Sequence, residues 1–291
     1  MKKSLAFLLT ASLLLIACNN GGRSTPVATQ AAPESAIPAT PEPTRSPTLE
    51  PTITSTPEPQ DSPTPEPVYS YDTQTVSITT EDGLRLSGNF FRAEGEVAVL
   101  FIHMAGPNDQ KNWIPFANKV AQRGFSALTV DLRCYGESDC RGGTEPGWVT
   151  LNWDMQAALE FLRAKGFKNI VCAGASMGGR ACVTVAFDEE LAGLIVVSGT
   201  ASDDPEKTDL NKMLNPGMPK LFVVSESDPT VNRTADMTRL YESAPDTKAF
   251  HIFPGTAHGT EFFKTQYAGV LSRLIYDFLY SIRDTFQAPA P

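Results

Sequence analysis

The stretch Gly174-Ala175-Ser176-Met177-Gly178 decides the fold, because it joins two segments of opposite pattern. Residues 169–173 form a short apolar run, which is typical of a strand buried on both faces. Residues 177–187 are spaced as in a helix. A serine in a tight strand-to-helix turn needs small residues nearby so that chain and helix can pass closely, and this context matches the pattern G-x-S-x-G. The sequence therefore marks Ser176 as a candidate nucleophile.

Strand and helix patterns alternate along the chain on both sides of this turn. Residues 75–80 and 84–91 alternate apolar and polar side chains around Glu81-Asp82-Gly83, as in a β-hairpin. Further strands are predicted at 96–103, 125–131, 169–173, 191–197, 220–225 and 249–253, and helices near 113–120, 153–162, 177–187, 231–243 and 261–283. This rhythm predicts an α/β fold with one mostly parallel eight-stranded sheet and helices on both faces.

A serine hydroxyl needs a base to become a good nucleophile, and the chain has three histidines. His103 ends one predicted strand, and His251 lies inside another. His258 lies in the loop between the last strand and the last helix, where an imidazole can reach over the nucleophile. We therefore expect His258 to be the base.

A third residue should orient that imidazole. Asp228 directly follows the strand predicted at 220–225, and the resulting chain order of serine, aspartate and histidine is that of one known triad class. We therefore expect Asp228 to be the acid. The alternatives are Asp203 and Asp204, which follow the preceding strand, and Glu226, which lies nearer the strand end.

Further stretches carry a resemblance to a known family. They are an opening hairpin at 81–88, a D-x-R-x-x-G-x-S loop at 131–138 with Cys134 where glycine is usual, a helix with Asp154 and apolar residues at 157–162, and the loop His103-Met104-Ala105-Gly106. With the G-x-S-x-G turn, they make residues 76–286 similar to the α/β-hydrolase superfamily, particularly its small esterases and dienelactone-hydrolase-like members. The resemblance implies a serine hydrolase working through Ser176, His258 and Asp228.

The resemblance also implies an oxyanion hole of backbone N–H groups. The loop at 103–106 resembles the family's H-G-x-G loop, with Met104 where glycine is usual. By this match Met177 gives one N–H group, and Ala105, or else Met104, gives the other. A side-chain change at Met104 need not abolish a hole built from backbone, although it narrows the site.

The substrate class follows from two departures. Dienelactone hydrolases carry a cysteine nucleophile, so Ser176 favours ordinary carboxylic esters of small to medium acyl groups. Only about twenty residues separate the strands that end at 197 and begin at 220, where lidded lipases insert a cap, so we expect no large lid. The alternatives are a serine peptidase or thioesterase on the same residues and a catalytically inactive surface binding module.

The amino-terminal part predicts export and anchoring. Residues 1–18 combine Lys2 and Lys3 with an apolar run that ends in Leu15-Ile16-Ala17-Cys18, which resembles the lipobox of bacterial lipoproteins and implies lipidation of Cys18. Twelve of the 23 prolines fall within 19–70, which predicts a disordered Pro/Thr-rich linker. Residues 71–291 then form the hydrolase domain, held on the outer face of a membrane or on the cell surface.

The remaining composition narrows partners and cofactors. A net charge of −9 argues against nucleic acid, because phosphate binding needs a surplus of Lys and Arg. No zinc spacing or nucleotide-binding motif occurs, so no metal or cofactor is expected. We expect a monomer that acts on a small-molecule ester. Cys134 and Cys140 lie six residues apart and are expected to form a disulfide after export, while Cys172 and Cys182 are left open between a disulfide and buried thiols.

Overall fold

The computed structural model describes residues 68–141 and 147–287, except the side chains of residues 148, 149 and 287. The predicted signal peptide, Cys18 and the linker up to residue 67 lie outside these residues, so their roles stay predictions. None of the described helices is both long enough and apolar enough to span a bilayer.

One sheet of eight strands organises the described part of the chain, in the order β1-β2-β4-β3-β5-β6-β7-β8. Strand β2 is antiparallel to both of its neighbours, and all other pairs are parallel. This confirms the predicted mostly parallel α/β fold. The strands are β1 (Asp72–Thr79), β2 (Arg85–Arg92), β3 (Val97–Ile102), β4 (Ser126–Val130), β5 (Asn169–Ala175), β6 (Gly193–Val197), β7 (Lys220–Ser225) and β8 (Lys248–Phe253).

Helices cover both faces of the sheet. They are α1 (Ile114–Ala121), α2 (Trp148–Ala164), α3 (Met177–Val185), α4 (Arg233–Ser243) and α5 (Ala268–Gln287). Alternate side chains of β3 point to opposite faces: Leu100 packs in one core with α2, α3 and α4, whereas Phe101 packs in the other with α1 and α5. The central strands β3 to β7 are buried along their whole length or nearly so, as expected for parallel strands covered on both faces.

The order of strands places the candidate nucleophile. The chain reverses direction across the sheet at β3, which pairs with β4 on one side and with β5 on the other. Ligands of open α/β sheets bind outside the carboxyl ends of the strands at such a switch point. Ser176 immediately follows β5, and Met104 lies two residues after β3, so both belong to this place.

The prediction of one helix over 261–283 was wrong. A short 3₁₀-helix (Gly259–Lys264) and α5 replace it. Thr265 has extended backbone angles, its hydroxyl donates to the carbonyl of Phe262, and it accepts from the N–H of Tyr267. Local bonds of a threonine side chain compete with the helix ladder and interrupt it here. Other boundaries shift by a few residues; β5 continues to Ala175, and α2 begins at Trp148 rather than near 153.

Candidate active site

Ser176 lies in a backbone conformation that few non-glycine residues adopt, with φ 51° and ψ −112°. The glycines around it are required by contact. A Cβ at Gly174 would lie 2.1 Å from the carbonyl oxygen of Gly178, and a Cβ at Gly178 would lie 2.3 Å from the carbonyl oxygen of Ile102. The strand, turn and helix therefore pass too closely for any side chain at those two positions.

Neighbouring backbone fixes the turn. The N–H of Ser176 donates to the carbonyl of Val197 at the end of β6 (2.8 Å), and the N–H of Arg180 donates to the carbonyl of Ser176 (3.1 Å). Helix α3 begins at the next residue, so the positive end of its dipole lies beside the serine. An oxyanion forming at this position would be stabilised by that end.

Asp228 and His258 form a close pair. Nδ1 of His258 lies 2.9 Å and 3.0 Å from the two carboxylate oxygens of Asp228. The aspartate side chain is fully buried, while 15% of the histidine side chain is exposed. A carboxylate in this position favours the tautomer with the proton on Nδ1, which leaves Nε2 able to accept a proton.

The loops that follow β7 and β8 are bonded together, which explains the closeness of this pair. The N–H of Glu226 donates to the carbonyl of Phe253 (2.8 Å), and the N–H of Ser227 donates to that of Gly255 (3.0 Å). The hydroxyl of Ser225 donates to the carbonyl of Ala257 (2.7 Å). These bonds continue the pairing of two parallel strands into their loops.

Hydrogen bonds control the charge of Asp228. Burial by itself would raise its pKa, but hydrogen bonds from His258 and from the N–H of Thr230, together with the nearby Ser198 hydroxyl, outweigh burial and hold the pKa of Asp228 below its ordinary value of 3.8. Asp228 is therefore ionised at neutral pH, as an imidazole-orienting acid must be.

The histidine loop packs against the nucleophile turn. A Cβ at Gly259 would lie 3.3 Å from the Cβ of Ala175, the residue before the serine, and 2.7 Å from the sulfur of Met104. The N–H of His258 donates to the carboxylate of Glu261 (3.2 Å), and the N–H of Glu261 donates back to the carbonyl of His258 (3.0 Å). The chain thus brings the histidine loop, the turn of Ser176 and the loop after β3 together.

The loop after β3 is held by a buried histidine. Nε2 of His103 accepts from the N–H of Leu132 (3.0 Å), so Nδ1 carries the proton and donates to the carbonyl of Met104 (2.8 Å). Burial lowers the pKa of His103, which agrees with this neutral state. The side-chain amide of Asn108 donates to the carbonyl of Ala105 (2.7 Å). His103 is therefore a positioning residue of this loop.

The predicted oxyanion residues retain usable donors. Across residues 68–141 and 147–287, the backbone N–H groups of Met104, Ala105 and Met177 make no hydrogen bond. Met104 and Met177 are buried, and Ala105 is partly exposed. Backbone donors without partners at the carboxyl end of a sheet can receive the oxygen of a bound carbonyl.

The alternative acids lie elsewhere. Asp203 forms an ion pair with Arg180, and Asp204 accepts from the N–H of Glu206 (3.0 Å). Glu226 is exposed. Within the described residues, none of the three bonds to His258.

Two residues around Asp228 escaped the sequence analysis. Thr230 donates its N–H to the carboxylate (3.0 Å), and its hydroxyl lies 3.3 Å from Nδ1 of His258. Ser198 is buried at the end of β6, and its hydroxyl makes no ordinary hydrogen bond to any described residue. An aspartate that bonds the N–H two residues later is a local turn pattern, so Asp228-Pro229-Thr230 carried a signal for Thr230. Ser198 offered no such signal, because Asp228 lies in the loop after a different strand, β7.

Two disulfides flank the site, Cys134–Cys140 in the loop after β4 and Cys172–Cys182 between β5 and α3. The first loop also carries Tyr135, whose hydroxyl donates to the sulfur of Met177 (3.7 Å). The loop therefore contacts one expected oxyanion residue directly.

Among the described residues, no group of histidine, cysteine or acidic side chains is arranged to hold a metal ion.

Parts of this chain are similar to known proteins. A family model described as the alpha/beta hydrolase fold matches residues 97–222. Two curated relatives are multifunctional-autoprocessing repeats-in-toxin proteins, from Vibrio vulnificus (34% identical over 121 residues) and from Vibrio cholerae (33% over 121 residues). The match covers 37% of this chain but spans only 2% of the length of either toxin.

Solved structures match over most of the described part. A CIB-like hydrolase from Thermoplasma acidophilum has a TM-score of 0.59 at 19% identity, covering 72% of this chain and 99% of that one. A thermophilic esterase from Thermogutta terrifontis has a TM-score of 0.57 at 18% identity, with 72% and 99% covered. A Pyrococcus furiosus esterase has a TM-score of 0.59 at 17% identity, with 73% and 93% covered. At these identities the likeness shows the fold.

Proposed function

We propose that this chain, which has the α/β-hydrolase fold, is a serine hydrolase that cleaves carboxylic esters of small to medium acyl groups. Its esterase structural neighbours support a hydrolase of this general kind. The single observation that carries the proposal is the bond of 2.9 Å between Asp228 and His258, on a loop packed against the strained turn of Ser176.

The proposed reaction has two halves. The oxygen of Ser176 attacks the ester carbonyl carbon while Nε2 of His258 takes the serine proton, and Asp228 stabilises the resulting imidazolium. The carbonyl oxygen becomes an oxyanion, which accepts hydrogen bonds from the N–H of Met177 and from that of Ala105 or Met104. The imidazolium then gives its proton to the leaving alcohol as the carbon–oxygen bond breaks. Water repeats the sequence on the acyl-enzyme and releases the acid.

The open side of the site supports short acyl groups. Residues 198–219, between β6 and β7, contain a single 3₁₀ turn at Leu210–Lys212. A segment of this length builds no large lid, and a long acyl chain would extend into solvent. The same residues would serve the hydrolysis of esters, thioesters and peptides. The preference for esters is therefore a separate part of the proposal.

The alternative from another class is an inactive binding module. The orphan N–H groups and the ionised Asp228 beside His258 disfavour it, since a module that only binds has no need for a strained serine there.

We further propose that the domain is displayed as a monomer through lipidated Cys18 and the linker at 19–70. Two or more acyl chains anchor a protein stably, whereas one is marginal. Mass spectrometry of the membrane fraction should find an acylated amino-terminal Cys18; a mature protein that starts elsewhere would contradict the anchor and leave the hydrolase proposal untouched.

Hydrolysis of p-nitrophenyl acetate, butyrate and decanoate tests the enzyme proposal. We expect turnover to fall with chain length and to disappear in Ser176→Ala. Ser202→Ala is a matched control on a buried serine outside the triad and should retain turnover. Equal turnover in wild type and Ser176→Ala, both free of contaminating esterases, would contradict the enzyme proposal and favour the inactive binding module.

A further inference from the structure

A concave site lies between α1, the 3₁₀-helix at Gly259–Lys264 and the start of α5. We call it the lysine groove and define it by Lys111, Lys119 and Lys264 with the aromatic rings of Phe116 and Phe263. Its volume is about 420 Å³, within the usual size of small-molecule sites. The groove contains neither Ser176 nor His258.

The charge of the groove is opposite to that of the chain. The protein carries a net charge of −9, yet three lysines line this groove and none of its described lining residues is acidic. Lys111 shares its charge with Asp109 (3.4 Å). In the described part of the chain, the ammonium groups of Lys119 and Lys264 form no ion pair, so their charges are available to a ligand.

The wall of the groove adds the amino-terminal end of a helix. Helix α5 begins there, with Ala268 and Gly269 in the lining, so the positive end of a 20-residue helix faces the same space. The hydroxyls of Thr260 and Ser272 also lie in the wall, but they already donate to the sulfur of Met104 and to the carbonyl of Ala268. The helix end is therefore what adds to the lysine charges.

Aromatic rings supply an apolar surface. Phe263 stacks on Phe116 with centroids 4.7 Å apart, and Phe116 in turn stacks on Tyr276 at 5.4 Å. Phe116 is buried, whereas Phe263 is partly exposed and can accept a further ring. A flat apolar body gains from such stacking.

We propose that the lysine groove binds an organic anion with a flat apolar body, of the class of aromatic carboxylates, at a site separate from the proposed catalytic centre. The carboxylate pairs with Lys119 and Lys264, and the ring lies on Phe263. Simple inorganic anions lack the apolar body, and neutral aromatics lack the charge, so both bind more weakly.

Calorimetric titration of the full chain with 2-naphthoate tests this assignment. The key variant is Lys119→Gln/Lys264→Gln, and the matched control is Lys165→Gln/Lys212→Gln, which removes two exposed lysines outside the groove. Because exposed ion pairs are individually weak, we expect the Kd to rise only about 5- to 20-fold in the groove variant. The control should change it less than about twofold by the same reasoning, since its lysines touch no ligand.

Three further binding measurements distinguish the lysine groove from other binding sites. Neutral 2-naphthamide and acetate should each bind at least about tenfold more weakly than 2-naphthoate, as expected if charge and ring both contribute. Gly269→Leu adds a side chain to the wall, where a Cβ meets no atom within 4 Å, and should also weaken binding. Binding that is abolished by covalent modification of Ser176 would move the ligand to the catalytic centre and overturn the proposal. So would undetectable binding, or equal losses in the groove variant and its control.

Discussion

Two buried carboxylates of this molecule accept hydrogen bonds from cationic or proton-donating partners, yet their pKa values shift in opposite directions. Asp154 on α2 and Asp228 after β7 both have fully buried side chains. Burial raises the pKa of Asp154 despite the hydrogen bonds from Arg133. In Asp228 the hydrogen bonds outweigh burial and lower the pKa. The partners explain what each pair is for.

All three guanidinium nitrogens of Arg133 donate hydrogen bonds to carboxylates. Its Nε and one terminal nitrogen donate to Asp154 (2.9 and 2.7 Å), and both terminal nitrogens reach Asp82 (3.0 Å each). The cluster ties the β1–β2 hairpin and the loop after β4 to α2. The Nδ1–H group of His258 donates to the carboxylate of Asp228, whereas its Nε2 makes no hydrogen bond within residues 68–141 and 147–287. The Arg133–Asp154 pair has no free nitrogen and therefore contributes to structure. The His258–Asp228 pair leaves Nε2 of the histidine free, so it can take part in proton transfer.

Removing the nitrogen that is left unused should have the largest effect. We expect His258→Ala to lower kcat for p-nitrophenyl butyrate on the order of 10⁶-fold with little loss of folding, because only the proposed base is removed. The double variant with Ser176→Ala should be no worse, since the two residues act as a unit. Additive losses, measured by steady-state kinetics, would show that they act independently.

Replacing the proposed acid should have the next largest effect. Asp228→Asn should reduce kcat about 10⁴-fold, because the amide no longer holds the proton on Nδ1 of His258. Asp203→Asn is the matched control, since Asp203 pairs with Arg180 instead. If the control lost activity and Asp228→Asn kept it, the acid would have been assigned to the wrong residue.

Breaking the structural pair should affect stability rather than chemistry. Arg133→Leu leaves the carboxylate of Asp154 buried without its partner, so the free energy of unfolding should fall by about 3–5 kcal/mol in urea titrations. Arg163→Leu breaks the partly exposed pair with Glu189 and should cost less than about 1 kcal/mol. Adding Asp154→Leu to Arg133→Leu should restore part of the loss; no restoration would argue against an unpaired charge as its cause.

The loop after β4, which contains Arg133, also carries a disulfide. Removing this disulfide should lower stability less than breaking the Arg133–Asp154 pair. Cys134→Ser/Cys140→Ser should lower the free energy of unfolding by about 2–3 kcal/mol, the entropy of closing so short a loop. Because Tyr135 in this loop contacts Met177, KM should rise as well. An unchanged KM would show that the loop needs no crosslink to hold its contact.

The smallest effect is a dependence on pH. The pKa of Asp228 is lower in the folded chain than its ordinary 3.8, so its stabilising contribution is present above that pH and is lost as the pH falls through the folded value. The stability difference between wild type and Asp228→Asn should therefore shrink between neutral and strongly acidic pH. A constant difference in denaturant titrations across that range would contradict the ionised native state.

The sequence sufficed for the sheet because its evidence is local. Alternating or continuous apolar patterns marked the strands, and the contacts of Gly174 and Gly178 explain why the motif needs glycine. The break at Thr265 was missed because a hydroxyl bonding its own neighbourhood leaves no mark in hydrophobic spacing. Ser198 was missed because its closeness to Asp228 depends on the pairing of β6 with β7. Non-local contacts of this kind need the fold first.

Labelling with a fluorophosphonate probe tests the central claim most directly, since only an activated serine reacts. We predict that wild-type protein is labelled at Ser176, as located by peptide mass spectrometry, and that Ser176→Ala is unlabelled. His258→Ala should be labelled far more slowly, because the hydroxyl loses its base. Wild-type protein that stays unlabelled while folded, or labelling at another serine, would contradict the account.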